Sequence, residues 1–229
     1  PDQAHPVRIV TPKEEETVYS YDRVGRRLSI QNAYGMVEMV YNSRNFVTRR
    51  TDGEGYTSGR FYDSMGNLTT YYPPKQWAEQ GKGYEYKRDF LERVVDLITP
   101  SGIHQRAFRN FDGNIIRSIH PVSYAQNGDA GEGTLYDYDH DGNCIRIHYA
   151  DGGIERRFYD AGGNLIKQVA PEAYEADSDD GAGYCYSYDE KGRMTAVQDP
   201  DGNTLHRFAY IGRGQVIKAI DGEGRETLY

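Results

Sequence analysis

Along this chain, hydrophobic and polar residues alternate in short runs, and a glycine or a turn aspartate interrupts the alternation every ten residues or so. Period-two patterning of this kind puts successive side chains on opposite faces of a β-strand. No stretch keeps apolar residues at three-and-four spacing for more than two turns, so the pattern predicts almost no helix. The clearest run is Tyr186-Ser187-Tyr188, a break at Asp189 to Gly192, then Arg193-Met194-Thr195-Ala196-Val197, and a second break at Asp199-Pro200-Asp201-Gly202. It predicts two strands joined by one tight turn and followed by another.

The breaks share a chemistry. An aspartate at the first turn position accepts from a backbone N–H two residues on, and glycine at the fourth takes a positive φ without strain. Tyr21-Asp22 with Gly25, Tyr62-Asp63 with Gly66, Tyr138-Asp139 with Gly142, Tyr159-Asp160 with Gly163, and Tyr188-Asp189 with Gly192 are full copies. Tyr41-Asn42, with Asn45 in the left-handed position, and Phe111-Asp112-Gly113 read as weaker ones. Asp52 to Gly55, Thr99 to Gly102 and Asp221 to Gly224 supply turns at the opposite strand ends. A longer period overlies this one. Gly83, Gly133 and Gly183 are 50 residues apart, and the same offset aligns Phe108, Phe158 and Phe208. Each such unit holds two hairpins.

The pattern therefore predicts an all-β fold, a repetitive antiparallel β-hairpin meander forming a curved strip. Residues 1–18 read as a lead-in arm or edge strand, blunted by Lys13 and Glu14 to Glu16, and residues 19–229 as one array of about nine hairpin units. The chain starts without methionine at Pro1 and stops mid-strand at Tyr229, and so reads as part of a longer polypeptide. Three longer insertions share a proline, an aromatic three residues later and a Gly-x-Gly exit: Pro74 with Trp77, Pro121 with Tyr124, and Pro171 with Tyr174. Each predicts a short helical turn whose aromatic folds back on the sheet rim, all on one edge and roughly 19 Å apart. Gly128, inside the second insertion, is expected to tolerate a side chain.

Composition sharpens this picture. Hydrophobic residues make up 37% of the 229 and mean hydropathy is −0.82, so no thick core is expected. The 21 tyrosines offset that shortage, since each buries a large ring while its hydroxyl stays satisfied. A net charge of −8 argues against nucleic acid, and no apolar run is long enough to span a membrane. Cys144 and Cys185 fall three strands apart, roughly 14 Å, too far for a disulfide, and read as free thiols.

The unit Tyr-Asp-x-x-Gly-Asn/Arg, followed by a hydrophobic strand and Asp-Pro-x-Gly at a spacing near 21, resembles the YD repeat of the Rhs family. That family includes bacterial polymorphic toxins, the C component of insecticidal Tc toxins and the teneurins. The resemblance covers about residues 19 to 229. It implies a segment of an Rhs-type β-shell, secreted or at the cell surface, whose partners are further repeats, a core domain and an enclosed toxin in the same polypeptide. No counterpart of the core domain or of its self-cleaving aspartates is found here, and Asp199-Pro200 is an ordinary repeat turn. A β-propeller fits less well, because the same turn chemistry occurs twice per unit.

Candidate chemistry is sparse. Asp137, Asp139 and Asp141 imitate the start of a calcium loop, but the closing glutamate is missing and the repeat accounts for Asp139 and Gly142. The acidic run Asp177 to Asp180 reads as a solvated loop. The six histidines show no metal-ligand spacing. No metal, cofactor or catalytic residue is predicted, and the chain reads as a non-enzyme. The functional alternative is carbohydrate or cell-surface binding through Trp77, Tyr124, Tyr136, Tyr174 and Tyr186, against cross-strand packing of the same rings. Exposed strand edges leave the strip open to self-association.

Overall fold

The computed structural model describes residues 7–229, so the start of the lead-in arm lies outside the described residues. The fold is all-β, an antiparallel meander in which chain neighbours pair strand by strand. The chain divides into two compact units, residues 1–106 and 107–229.

In the first unit the strands run β1 (Arg8–Val10), β2 (Glu16–Tyr21), β3 (Arg27–Asn32), β4 (Gly35–Tyr41), β5 (Val47–Thr51), β6 (Thr57–Tyr62) and β7 (Leu68–Tyr72). A one-turn helix α1 (Pro74–Ala78) follows, then β8 (Tyr84–Arg88), β9 (Val94–Ile98) and the start of β10 (His104–Arg109). β1 is tied to β2 by Arg8 opposite Val18 and by the Arg8–Glu16 ion pair at 2.6 Å.

The second unit contains β11 (Ile115–Ile119), helix α2 (Pro121–Asn127), β12 (Gly133–Tyr138), β13 (Cys144–His148), β14 (Ile154–Tyr159) and β15 (Leu165–Val169). A two-residue hairpin, β16 (Tyr174–Glu175) and β17 (Asp180–Gly181), stands apart from the main sheet. The meander continues through β18 (Tyr184–Tyr188), β19 (Met194–Gln198), β20 (Thr204–Tyr210), β21 (Val216–Asp221) and β22 (Glu226–Leu228).

The hairpin ends follow from local chemistry. In the Asp139 turn, Asp139 N–H donates to the Asn143 carbonyl and Gly142 N–H to the Asp139 carbonyl, with Gly142 at φ 86°. That is a three-residue hairpin loop closed by a left-handed residue, and such loops carry a bulge. Here Asp137 pairs with Arg146 but Tyr138 pairs with Cys144, so Ile145 is the extra residue. The same slip recurs before Tyr21, Tyr41, Tyr62, Tyr159, Tyr188 and Tyr210.

The core is as thin as the composition demands. Among the described residues only Ile119, Ile147 and Val169 are buried apolar side chains, beside buried polar Ser58, Asp96, Thr134 and Glu155. The buried carboxylates are paired, as they must be. Asp96 meets His104 Nδ1 at 2.9 Å, and Glu155 accepts from Tyr149, Arg157 and Gln168.

Candidate functional site

The repeat signature converges on one device at the end of each hairpin. Asp189 Oδ1 accepts from the N–H groups of Lys191 and Arg193, and Oδ2 accepts from Arg193 Nε at 2.7 Å. Asp63, Asp139 and Asp160 do the same with an asparagine four residues on, and Asp22 with Arg26. These hydrogen bonds hold the carboxyls of Asp63, Asp139, Asp160 and Asp189 below the usual carboxylate range.

The tyrosine before each aspartate has a separate task. Tyr188 reaches diagonally to the preceding strand and donates its hydroxyl to the Leu165 carbonyl at 2.9 Å. Tyr41 to Arg27, Tyr62 to Val47, Tyr138 to Ile115, Tyr159 to Cys144 and Tyr210 to Met194 repeat it. In each case the acceptor is the first residue of that strand. Arg88 stands at this place in β8 and donates to the Leu68 carbonyl instead. Tyr21 ends β2 at the equivalent position.

Two turns differ from expectation. In the Phe111 copy the first turn position is Asn110, not Asp112: Gly113 N–H donates to the Asn110 carbonyl and Asn114 N–H to Asn110 Oδ1. The aromatic there points outward, 82% exposed. Gly128 is not a permissive loop glycine either. It caps α2 at φ 57° and ψ −135°, a backbone region that strains any other residue.

The three insertions lie, within their own units, on the sheet face opposite the stapling tyrosines. Pro74 and Pro121 open helices as anticipated, but the third insertion forms only a single 3-10 turn, Pro171–Ala173, before its small hairpin. The exit glycines are required by proximity. A side chain at Gly83, Gly133 or Gly183 would collide with the carbonyl of Tyr71, Ser118 or Gln168 on the preceding strand. The acidic run is not simply solvated. Asp179 accepts from Arg146 Nε at 2.9 Å, Arg156 Nε at 3.1 Å and the Tyr174 hydroxyl at 2.8 Å, and Asp180 meets Lys167 Nζ at 2.7 Å. The Arg146 guanidinium, with Tyr174 and Arg156, holds the Asp179 carboxyl down to about 2.

The five aromatics considered for sugar binding do not form one surface. Tyr136 and Tyr186 lie on the stapling face, with the Tyr136 hydroxyl 3.3 Å from Ser118 Oγ. Tyr124 and Tyr174 belong to insertions on the other face, and the Tyr174 hydroxyl is spent on Asp179. In the first unit the Trp77 indole packs over Gly59 and edge-on to Tyr72 at 6.0 Å. Beside it Phe61, absent from the sequence candidates, is 51% exposed in a hollow of about 340 Å³. Only the fold brings Trp77 to it.

Among the described residues no three metal-ligating side chains come together, Cys144 and Cys185 are free, and no helix is long and apolar enough to cross a membrane.

No protein-family model and no curated protein sequence matches the chain. Solved structures do. TcdB2-TccC3 without its hypervariable C-terminal region superposes over 90% of this chain with a TM-score of 0.54 at 16% identity. The Photorhabdus luminescens Tc holotoxin pore, with a mutated TccC3, gives 0.56 at 13% over the same share. The chain shares their fold. TcdB2-TccC3-Cdc42 matches similarly, with a TM-score of 0.52 at 17% identity. The chain spans only 14% of the first two of these chains and 12% of the third.

Proposed function

We propose that this chain is a non-catalytic wall segment of a hollow YD-repeat shell, within a longer secreted or surface polypeptide that encloses a toxin. The observation that carries the reading is the tyrosine staple. It joins each hairpin only to the strand before it, six times at the same place, so the unit can be extended without redesign. A thin core and two tyrosine-rich or charged faces suit a wall better than a globular enzyme. The fold shared with Tc assemblies over 90% of the chain supports the same reading. The remaining partners are then further repeats and a core domain of the same polypeptide.

The test is electron microscopy and limited proteolysis of the natural full-length polypeptide that carries this chain. A hollow particle whose internal segment resists protease until the wall is unfolded is the expected result. A solid particle, or an internal segment cleaved as fast as a free peptide, would overturn the proposal.

A further inference from the structure

The first and third insertions cover equivalent pairs of strands with different chemistry. In β13 and β14, Arg146 and Arg156 are direct cross-strand partners, and Arg156 faces Val169 on the next strand. In β5 and β6 the same places hold Arg49 and Gly59, and Gly59 faces Tyr72. Over the first pair the third insertion lays a carboxylate, Asp179, on both guanidiniums. Over the second, the first insertion lays the Trp77 ring in the space that Gly59 leaves. Among the described residues no carboxylate reaches Arg49. Among the described residues its guanidinium has no hydrogen bond or ion pair, although its counterpart Arg146 is fully engaged.

Arg49 lines the 340 Å³ hollow together with Phe61, Trp77, Val40 and Thr48, and with Arg60, whose guanidinium is already engaged by Ser58 Oγ and the Tyr71 ring. Phe61 and Val40 remain 51% and 42% exposed there. A second hollow, about 390 Å³, shares Phe61 and Trp77 and adds the amide side chains of Gln76 and Gln80. An exposed ring, one unengaged cation and two amides form a mixed lining, with an apolar body site and a few polar groups to fix orientation.

The geometry points to a binding site for an acidic sugar, a pyranose ring bearing a carboxylate, on the Phe61–Trp77 side of the first unit. The carboxylate takes at Arg49 the place that Asp179 takes at Arg146, as a charge-assisted pair. The ring's C–H face lies on Phe61, whose π-face is negative. A second sugar residue extends toward Gln76 and Gln80. A linear acidic peptide fits less well, because the two hollows meet at one aromatic edge rather than along a strand edge with free backbone groups. This site goes beyond the wall reading and does not depend on it.

The test is calorimetric and saturation-transfer NMR titration of the 229-residue chain with methyl glucuronide, methyl glucoside and N-acetyl-aspartyl-phenylalanine. The glucuronide is expected to bind about tenfold more tightly than the glucoside, the scale of one charge-assisted hydrogen bond. Arg49→Gln should erase that preference, Arg49→Lys should keep part of it, and Phe61→Ala should weaken both sugars. Both residues stand outside the turns and staples, and thermal melts verify that each variant keeps the fold. Equal binding of the two sugars, binding of neither at millimolar concentration, a preference that survives Arg49→Gln, or binding of the peptide alone would each overturn the assignment.

Discussion

The hydroxyl of Tyr188 and the carbonyl of Leu165 lie 2.9 Å apart, joining the end of one hairpin to the start of the strand before it. The bond explains why tyrosine, and not phenylalanine, precedes the turn aspartate. Tyr188→Phe removes the donor and leaves a half-buried carbonyl unmet, at a cost of about 1 kcal/mol. Tyr184, 43% exposed on the same strand, makes no such bond, and Tyr184→Phe should change little. Urea denaturation of both variants checks this. Equal midpoints would remove the staple.

The turn at Asp89 tests the left-handed position from the other direction. Glu92 occupies it at φ 61°, where Gly142 and Gly192 stand in the later repeats. Its side chain recovers something by accepting from Asn67 Nδ2 at 2.7 Å, but that bond is exposed. Glu92→Gly should raise stability by up to about 1 kcal/mol, and Gly192→Val should lower it by about 1–3 kcal/mol. Opposite signs in thermal melts are the expected outcome.

These two sites show what the amino-acid sequence made legible. Turn chemistry is local, so Asp189 with Gly192 could be read directly from spacing, and the strands followed from alternation. The staple was hidden because its acceptor is a backbone carbonyl about 23 residues away, which no residue type advertises. The Asn110 turn was misplaced by one aromatic: Phe111 looked like the tyrosine of the motif, while Arg109 stands in that position. Asp179 read as solvent-facing because its neighbours are polar, and Arg146 lies 33 residues earlier. Long-range ion pairs of this kind depend on which face a loop covers.

Asp179 also sets an acid limit. Its carboxyl is held down to about 2 from an ordinary 3.8, so its contribution is fully present above pH 4 and is lost as pH falls through 2. A carboxylate a third exposed is screened, and we expect about 1 kcal/mol from the cluster at neutral pH. Asp179→Asn should lower the melting midpoint at pH 7 and flatten the loss between pH 4 and 2. Arg146 and Arg156 would then face each other without the carboxylate that bridges them. Melts of parent and variant across that range measure it, and parallel pH profiles would count against the cluster.

The carboxy-terminal edge gives the last prediction. β22 pairs with β21 on one side, through Lys218 opposite Leu228 and Ala219 opposite Thr227, and all three of its residues are exposed. Its outer row of backbone groups is therefore open to strand addition. Bond alternation decides which groups those are. Tyr229 N–H donates to the Ile217 carbonyl and Asp221 N–H to the Arg225 carbonyl. Antiparallel pairs alternate, so Thr227 also points its N–H inward, and Leu228 and Glu226 point theirs outward. A proline at Thr227 would break the internal ladder and confound the test, whereas Leu228→Pro blocks only the outer row. Sedimentation of the 229-residue chain should show association that grows with concentration and that Leu228→Pro reduces. Glu226→Pro, at the other outward position, should act in the same sense. A monomer at every concentration, or association untouched by either proline, would mean that β22 is not the contact edge.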